Sequence, residues 1–401
     1  MRSVEESVAI NTLRQRFVDD LVSRGALTDS EWETVLRQAP RHHFVPRIIG
    51  WWPPESGETE ALVDAAHDKE RWLRLVYSDR LLVTVDDHQR ESSSSRPRVM
   101  LRFLEGLGLE QGHSVLEIGT GTGYNAALLC ERAISENVTS IDIDAELVNL
   151  ARRRLTDCGY LATVASANGR DGYPPRAPYD RIIATCSVPR IPDAWVDQLR
   201  TGGIIVAPMA GGHFESVGLV KLRGRADGSA AGIFHRGGAS FMALREPGER
   251  PEEISSDELT SLVRDGDGVT RPCVIPEWLA DGPDLVNVTR HGTGLEPNFL
   301  LRLHVGDMRW IWLDQTAGPS KMPAIASGAD HSWARVAVAT DGTTVVMQGG
   351  PRRLWDLVER SWELFLRSGK PDMGRYGITI TPDRRQFVWL DSPESGCIWK
   401  L

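Results

Sequence analysis

The chain has 401 residues, 41% of them apolar and 25% charged, and carries a net charge of −9. Such a composition belongs to an ordinary globular protein of about two to three domains and excludes a disordered chain, a collagen-like repeat or a small stapled scaffold. The acidic balance argues against a surface built for nucleic acid or for an anionic membrane. Leu13, Phe17 and Leu21 stand four apart, which predicts a helix over 4–24 with Gly25 as its stop. Thr28 and Glu31 read as a capping box for a second helix carrying Trp32, Val35 and Leu36, ended by Pro40 and Pro46. A Pro- and Glu-rich approach after Trp51 leads to a further helix around 59–75.

From Ser114 the pattern changes. Short apolar runs at 115–118, 138–143, 181–184 and 203–207 alternate with helical patterns at 125–131, 145–158 and 192–199. That alternation predicts parallel strands joined by crossover helices, an α/β doubly wound, Rossmann-like sheet. Runs at 216–222 and 239–245 predict an antiparallel hairpin that closes it. The acidic, Pro-containing stretch 246–257 reads as a linker. Beyond it, strand-like runs at 298–305, 310–314, 334–339 and 345–348, a hairpin turn at Asp341-Gly342, a helix over 354–366 and a last hairpin at 377–381 and 386–390 predict a smaller α+β domain. The organisation expected is an N-terminal helical segment with a loop over 1–100, a cofactor-binding core over 101–245 and a C-terminal domain over 258–401.

Five cysteines, Cys130, Cys158, Cys186, Cys273 and Cys397, are widely spaced, with no Cys-x-x-Cys and no histidine at ligand spacing, so neither a metal site nor a disulfide framework is expected. Glu5, Glu6, Asp19 and Asp20 leave no room for a signal peptide or a membrane span in the first twenty residues, and a cytoplasmic location is expected. Of thirteen tryptophans, eight stand from Trp278 onward, and Trp310, Trp312, Trp333 and Trp389 suggest an aromatic peptide surface on a small sheet.

The informative segment is Val115-Leu116-Glu117-Ile118-Gly119-Thr120-Gly121-Thr122-Gly123-Tyr124, a strand running into a glycine turn and then a helix. Glycines there let the backbone approach a ligand closely. A dinucleotide site wants Gly-x-Gly-x-x-Gly, but Tyr124 occupies the place of the third glycine, and no Gly-Lys-Ser/Thr follows to make a P-loop. Gly-x-Gly-x-Gly after an acidic residue fits S-adenosylmethionine better. Asp142, 23 residues after Gly119 at the end of the second strand, is placed to accept the ribose hydroxyls.

With these residues the chain resembles the protein-L-isoaspartate O-methyltransferases over about 10–245. Arg41-His42-His43-Phe44-Val45-Pro46 is similar to the family's Pro-Arg-His-x-Phe-Val-Pro segment, and Tyr77-Ser78-Asp79-Arg80-Leu81-Leu82 to its Tyr-x-Asp-x-Pro-Leu. The run from Val115 to Ala127 resembles its Val-Leu-Glu-Ile-Gly-Thr-Gly-Ser-Gly-Tyr-x-Ala-Ala. Asn168-Gly169-Arg170-Asp171-Gly172-Tyr173-Pro174 and Ala177-Pro178-Tyr179-Asp180-Arg181-Ile182-Ile183 resemble two further segments. The resemblance implies cofactor contacts from Glu117, Gly119, Gly121, Gly123, Asp142, Ile143, Asn168 and Gly169, with Asn168 standing where the family has Asp.

The family's Gly-Gln-Thr-Ile-Ser-x-Pro loop appears here as Glu91-Ser92-Ser93-Ser94-Ser95-Arg96-Pro97. The resemblance implies that Ser93 and Ser95 hold the acceptor carboxylate as catalytic residues, and that Ser94, Tyr77 and Asp79 contact substrate. A carboxylate with a reference pKa of about 4 is already ionised at neutral pH, so methyl transfer to it needs alignment and a dry site rather than a base. A C-terminal extension and a serine-rich loop resemble an actinobacterial subgroup that modifies ribosomally made peptides, graspetides and lanthipeptides. This implies esterification of an aspartyl side chain, leading to aspartimide or isoaspartate. Repair of isoaspartate in damaged proteins is the second expectation, and a non-catalytic cofactor-binding partner of a peptide-modifying ligase the third.

Overall fold

The computed structural model describes residues 2–52, 62–85, 91–209, 218–235, 241–246, 256–279, 295–306, 308–314 and 321–401. Helices α1 (Arg2–Ser23) and α2 (Ser30–Gln38) open the chain. Phe17 and Leu21 are buried as their spacing predicts. The capping box is not formed. Asp29 caps α2 by accepting from the backbone N–H of Glu31 and Trp32, while Thr28 turns its own N–H and hydroxyl to Glu105.

The N-terminal part is not only helical. Strands β1 (Ile48–Trp52), β2 (Val63–Asp64), β3 (Leu81–Val85) and β4 (Glu91–Ser94) make a four-stranded antiparallel sheet in the order β2-β1-β3-β4. Helix α3 (Lys69–Val76) starts later than the sequence suggests, and part of the expected 59–75 span lies outside the described residues. The four-serine run, expected as a loop, is largely β4, the edge strand paired with β3 through Thr84 and Ser92, Val83 and Ser93, and Leu82 and Ser94. Helix α4 (Pro97–Leu107) follows closely, with Pro at its first turn and Gly108 in the left-handed region at its end.

The doubly wound sheet is present. Strands β5 (Val115–Ile118), β6 (Val138–Asp142), β7 (Thr163–Ser166), β8 (Tyr179–Ala184) and β9 (Leu199–Met209) run parallel in the order β9-β8-β5-β6-β7. Helices α5 (Tyr124–Arg132), α6 (Ala145–Asp157) and the short α7 (Asp193–Asp197) lie along the connections. Strand order runs from β5 to β6 on one side and from β5 to β8 on the other, so a crevice opens at the carboxyl ends of these strands. The antiparallel continuation differs from expectation. Strand β10 (Gly218–Gly224) pairs with β11 (Ala230–His235), which no pattern in the sequence announces, and 241–245 forms only an isolated bridge between Ala243 and Ser187. Most of the expected linker 246–257 lies outside the described residues.

The C-terminal region does not stand apart as one unit. Helix α8 (Ser256–Asp265) precedes strands β12 (Val269–Pro272), β13 (Arg309–Asp314), β14 (Lys321–Ala326), β15 (Trp333–Val338) and β16 (Thr344–Gly349), which build a five-stranded sheet in the order β12-β16-β15-β14-β13. The segment expected as a strand at 298–305 is a helix, α9 (Leu295–Val305). Its apolar residues Phe299, Leu300 and Leu301 are consecutive, and all three are buried because α9 lies between two packed layers. Helix α10 (Leu354–Arg367) packs with it. The last strands, β17 (Tyr376–Ile380), β18 (Gln386–Leu390) and β19 (Ile398–Lys400), join the central sheet, β17 pairing with β11, so that sheet has ten strands among the described residues. Gln386 fixes this junction: its side chain accepts from the N–H of Ile191 at 3.1 Å and donates to the Ile191 carbonyl at 2.6 Å, both bonds buried.

Candidate active site

The crevice at the ends of β5 and β6 is a cleft walled by the glycine turn, the serine strand, α4 and the segment 242–245. The turn needs glycine. Gly119 has φ of +97°, and a Cβ there would lie 2.5 Å from Thr185 Oγ1. Gly119, Gly121, Asp142, Ile143 and Gly169 all line the cleft. Asp142 Oδ2 accepts from Gly121 N–H at 2.9 Å and Oδ1 from Asp144 N–H at 3.1 Å, which locks the end of β6 to the turn and leaves a lone pair on each oxygen. Burial pushes the Asp142 carboxyl above the usual carboxylate range, against these two N–H groups and the charge of Arg245.

Three residues assigned to the cofactor lie elsewhere. Glu117 is fully buried behind the turn, where Oε1 accepts from Asn125 Nδ2 at 2.7 Å and Oε2 accepts from Ser140 Oγ at 2.5 Å. Burial raises this carboxyl to about 7. Gly123 faces Ala151 and Phe44, on the helix side of the turn. Asn168 caps the short helical turn after it by accepting from Arg170 N–H at 3.0 Å. None of the three lines the cleft.

Ser92, Ser93, Ser94 and Ser95 all line it. A Cβ on Gly121 would lie 3.8 Å from both Ser92 Oγ and the Ser93 carbonyl oxygen, so the serine strand and the glycine turn are facing walls. Tyr77 and Asp79 are not brought to the cleft. Tyr77 packs in the N-terminal core with its hydroxyl 2.6 Å from His42 Nδ1, and burial raises that phenol to about 12 while lowering His42 to about 4. Asp79 accepts from Arg98 N–H at 2.9 Å and pairs with the Arg96 and Arg98 side chains, holding the start of α4. A motif match fixes a position in sequence, not the direction in which the side chain points.

Residues that the sequence reading did not assign also shape the site. Arg41, fully buried, donates from Nη2 to Ser94 Oγ at 3.2 Å and to the Ser95 carbonyl at 3.4 Å. The only signal for it in the sequence is its place in the Arg41-His42-His43 motif. Leu244 closes over Gly169, where a Cβ would come within 2.6 Å of Leu244 Cδ1, and Leu244 N–H donates to the Ser187 carbonyl at 2.9 Å. Cys186 lines the cleft, but burial raises its thiol to about 12, which keeps it protonated.

These residues fit S-adenosylmethionine. The apolar faces of Ile118, Ile143, Leu147 and Leu244 suit a flat ring, the Asp142 lone pairs suit vicinal hydroxyls, and Gly119 and Gly121 line the cleft with no side chain to fill it. Fold and site together define a class I methyltransferase. A likeness to a solved structure described as protein-L-isoaspartate O-methyltransferase, with a TM-score of 0.51 at 18% identity, covers 94% of this chain and all of that one, and agrees in fold.

The family model for protein-L-isoaspartate(D-aspartate) O-methyltransferase matches residues 62–232. A protein-L-isoaspartate O-methyltransferase of Methanopyrus kandleri is 31% identical over 243 residues, 60% of this chain and 94% of its own. One of Methanosarcina mazei is 33% identical over 210 residues, covering 52% of this chain and 74% of its own. The chain belongs to this family and is an S-adenosylmethionine-dependent carboxyl methyltransferase. The likeness in fold extends over 94% of this chain and so is not confined to the doubly wound core. No helix among the described residues is long and apolar enough to cross a membrane.

Proposed function

We propose that the chain esterifies the carboxylate of an aspartyl-derived residue in a peptide, with the serine strand holding the acceptor beside the methyl donor. The observation that carries this reading is the 3.8 Å approach of Ser92 Oγ and the Ser93 carbonyl to the Cβ position of Gly121. When bound, S-adenosylmethionine would supply a methyl group made electrophilic by its sulfonium; the acceptor carboxylate oxygen would take that methyl as its bond to sulfur breaks and S-adenosylhomocysteine leaves. The serine hydroxyls hold one oxygen of the acceptor and leave the other free to attack. Leu36, Met100, Leu104 and Leu128 line the same cleft and keep it apolar. No proton has to be removed, in keeping with a cleft whose thiol is protonated.

The acceptor named for the relatives is an isoaspartyl residue. The second reading is the side chain of a normal Asp in a constrained, ribosomally made peptide, where the ester loses methanol as the next amide nitrogen closes an aspartimide. The serine strand favours it, since Ser92 and Ser94 replace the Gln and Ile of the family loop. The four tryptophans do not support it. Trp333 is buried against α8, Trp310 packs edge-on to Trp278 and Trp355, Trp312 shares the Trp310 face of β13, and Trp389 belongs to the central sheet, so they form no common surface.

The full-length enzyme should be offered a linear isoaspartyl peptide and, separately, a macrocyclic peptide with a normal Asp, with methyl ester and dehydrated product followed by mass spectrometry. Ester on either supports carboxyl methylation, and the preferred one fixes the acceptor. Ser95→Ala should lower transfer by about 10- to 100-fold with little change in donor affinity. Unchanged turnover would remove the serine strand from the acceptor site.

A further inference from the structure

Arg41 is 0% exposed, and its guanidinium makes no salt bridge among the described residues. Its guanidinium donates to the carbonyls of Val76 at 2.9 Å, Ser78 at 3.1 Å and Ser95 at 3.4 Å, and to Ser94 Oγ at 3.2 Å. All four acceptors are neutral, as is the Tyr124 ring 5.6 Å away, and Nε has no hydrogen-bond partner among the described residues. Asp79, whose charge acts on Arg41, is itself held by Arg96 and Arg98. A buried cation among neutral dipoles is unfavourable unless an anion approaches.

Ser94 stands between that cation and the cleft. It is 5% exposed, yet it is among the residues lining the cleft. A hydroxyl has one proton and two lone pairs. Since Ser94 Oγ accepts from Arg41, its proton remains available, and no described acceptor takes it. A donor polarised from behind by a guanidinium gives a stronger hydrogen bond to an anion.

We infer that Ser94, backed by Arg41, is a further donor to the acceptor carboxylate, and that Arg41 acts through it as a positioning residue that selects an anionic acceptor over a neutral one. This rests on the carboxyl methylation proposed above. It adds to that reading a hydroxyl at the place where the family loop has Ile, and it explains why a guanidinium without a salt bridge is kept under the serine strand. No proton is transferred in this step: the hydroxyl donates a hydrogen bond, and the carboxylate keeps its charge until the methyl group is received.

The test uses the full-length chain saturated with S-adenosylhomocysteine and two peptides identical but for Asp or Asn at the acceptor position, in the isoaspartyl or normal linkage that the wild type methylates. Calorimetry should give the wild type a preference for the carboxylate of about tenfold or more, and Ser94→Ala should reduce that preference by about tenfold. Arg41→Lys should reduce it too, and the double variant should be no worse than the weaker single one, because the two residues act as a unit. Ser94→Thr should restore it. Affinity for S-adenosylhomocysteine should stay within about twofold throughout. An unchanged Asp-to-Asn preference in Ser94→Ala would overturn the inference, as would a folded Arg41→Lys variant that loses only stability and keeps the wild-type preference. If Arg41→Lys does not fold, Ser94→Ala and Ser94→Thr decide alone. A wild type that methylates neither linkage would instead overturn the proposed function, and this inference with it.

Discussion

The glycine turn and the five-stranded C-terminal sheet are both marked in the sequence by unusual composition, one by glycine and the other by tryptophan. They behave in opposite ways. At the turn, residue type reports backbone geometry: Gly119, Gly121 and Gly123 all have positive φ, and the chain between β5 and α5 can take no other course. In the C-terminal sheet, residue type reports only bulk. Trp333 is 3% exposed on one face beneath the guanidinium of Arg335, while Trp310 lies on the other face at 5.7 Å from Trp278. A feature tied to dihedral angles is therefore a better guide to a site than one tied to hydrophobicity, which a core uses as readily as a binding surface.

Removing the C-terminal region is the most drastic change. If it were a separable module, truncation after Arg245 would leave the donor site intact. Strand β17 pairs with β11, however, and Phe234, Val220 and Leu222 share one core with Phe299, Phe365 and Ile378. Truncation should abolish cooperative unfolding and S-adenosylhomocysteine binding together. A soluble fragment with an ordinary melting transition would show two independent domains. A smaller probe is Trp333→Ala, which should cost about 3–5 kcal/mol of stability, measured by denaturant unfolding, while leaving donor affinity in the folded protein unchanged. Loss of donor affinity without loss of stability would make the tryptophan part of the site.

How much was legible follows the same division. Parallel strands, their helices, the glycine turn and Asp142 follow from apolar periodicity and dihedral demands, which are local. The pairing of β17 with β11 joins Ile378 to Gly232 across a long separation, and no local pattern announces it. Consecutive Phe299, Leu300 and Leu301 look like a strand because a helix buried on two sides shows no apolar stripe. Arg41 illustrates the limit at the site itself. Its place in a motif is plain, but only the fold shows that it reaches β4 from beneath.

Glu117 tests whether the turn's acidic residue serves the fold or the ligand. In the unfolded chain it ionises at its ordinary value of 4.5, and in the folded chain only near 7. Between those values unfolding releases a proton, so stability falls as pH rises from about 4.5 to about 7, by about 3 kcal/mol in all. Glu117→Gln keeps an oxygen for Asn125 and an N–H for Ser140, and it lacks this titration. Its stability relative to wild type should therefore rise by about 3 kcal/mol between about pH 5 and about pH 8, read from urea midpoints. A constant difference would mean that Glu117 is ionised in the folded protein throughout.

Asp142→Asn is the gentlest change and bears directly on the ligand. The carboxylate serves Gly121 N–H with one oxygen and Asp144 N–H with the other. An amide offers a single oxygen, so one of these N–H groups would face an NH₂ group, and one acceptor for a ribose hydroxyl would be lost. Affinity for S-adenosylhomocysteine should fall by about 1–2 kcal/mol, roughly 5- to 30-fold. The pH dependence sharpens this. Burial holds the Asp142 carboxyl above its ordinary range, so acidification protonates it earlier than an exposed Asp. A protonated carboxyl can no longer accept at both oxygens. Wild-type affinity should therefore decline as pH falls through that raised value, whereas the Asn variant should show a flat profile there. If calorimetry gives the two proteins equal affinities and parallel pH profiles, the ribose does not lie against the end of β6, and the cofactor must be turned within the cleft.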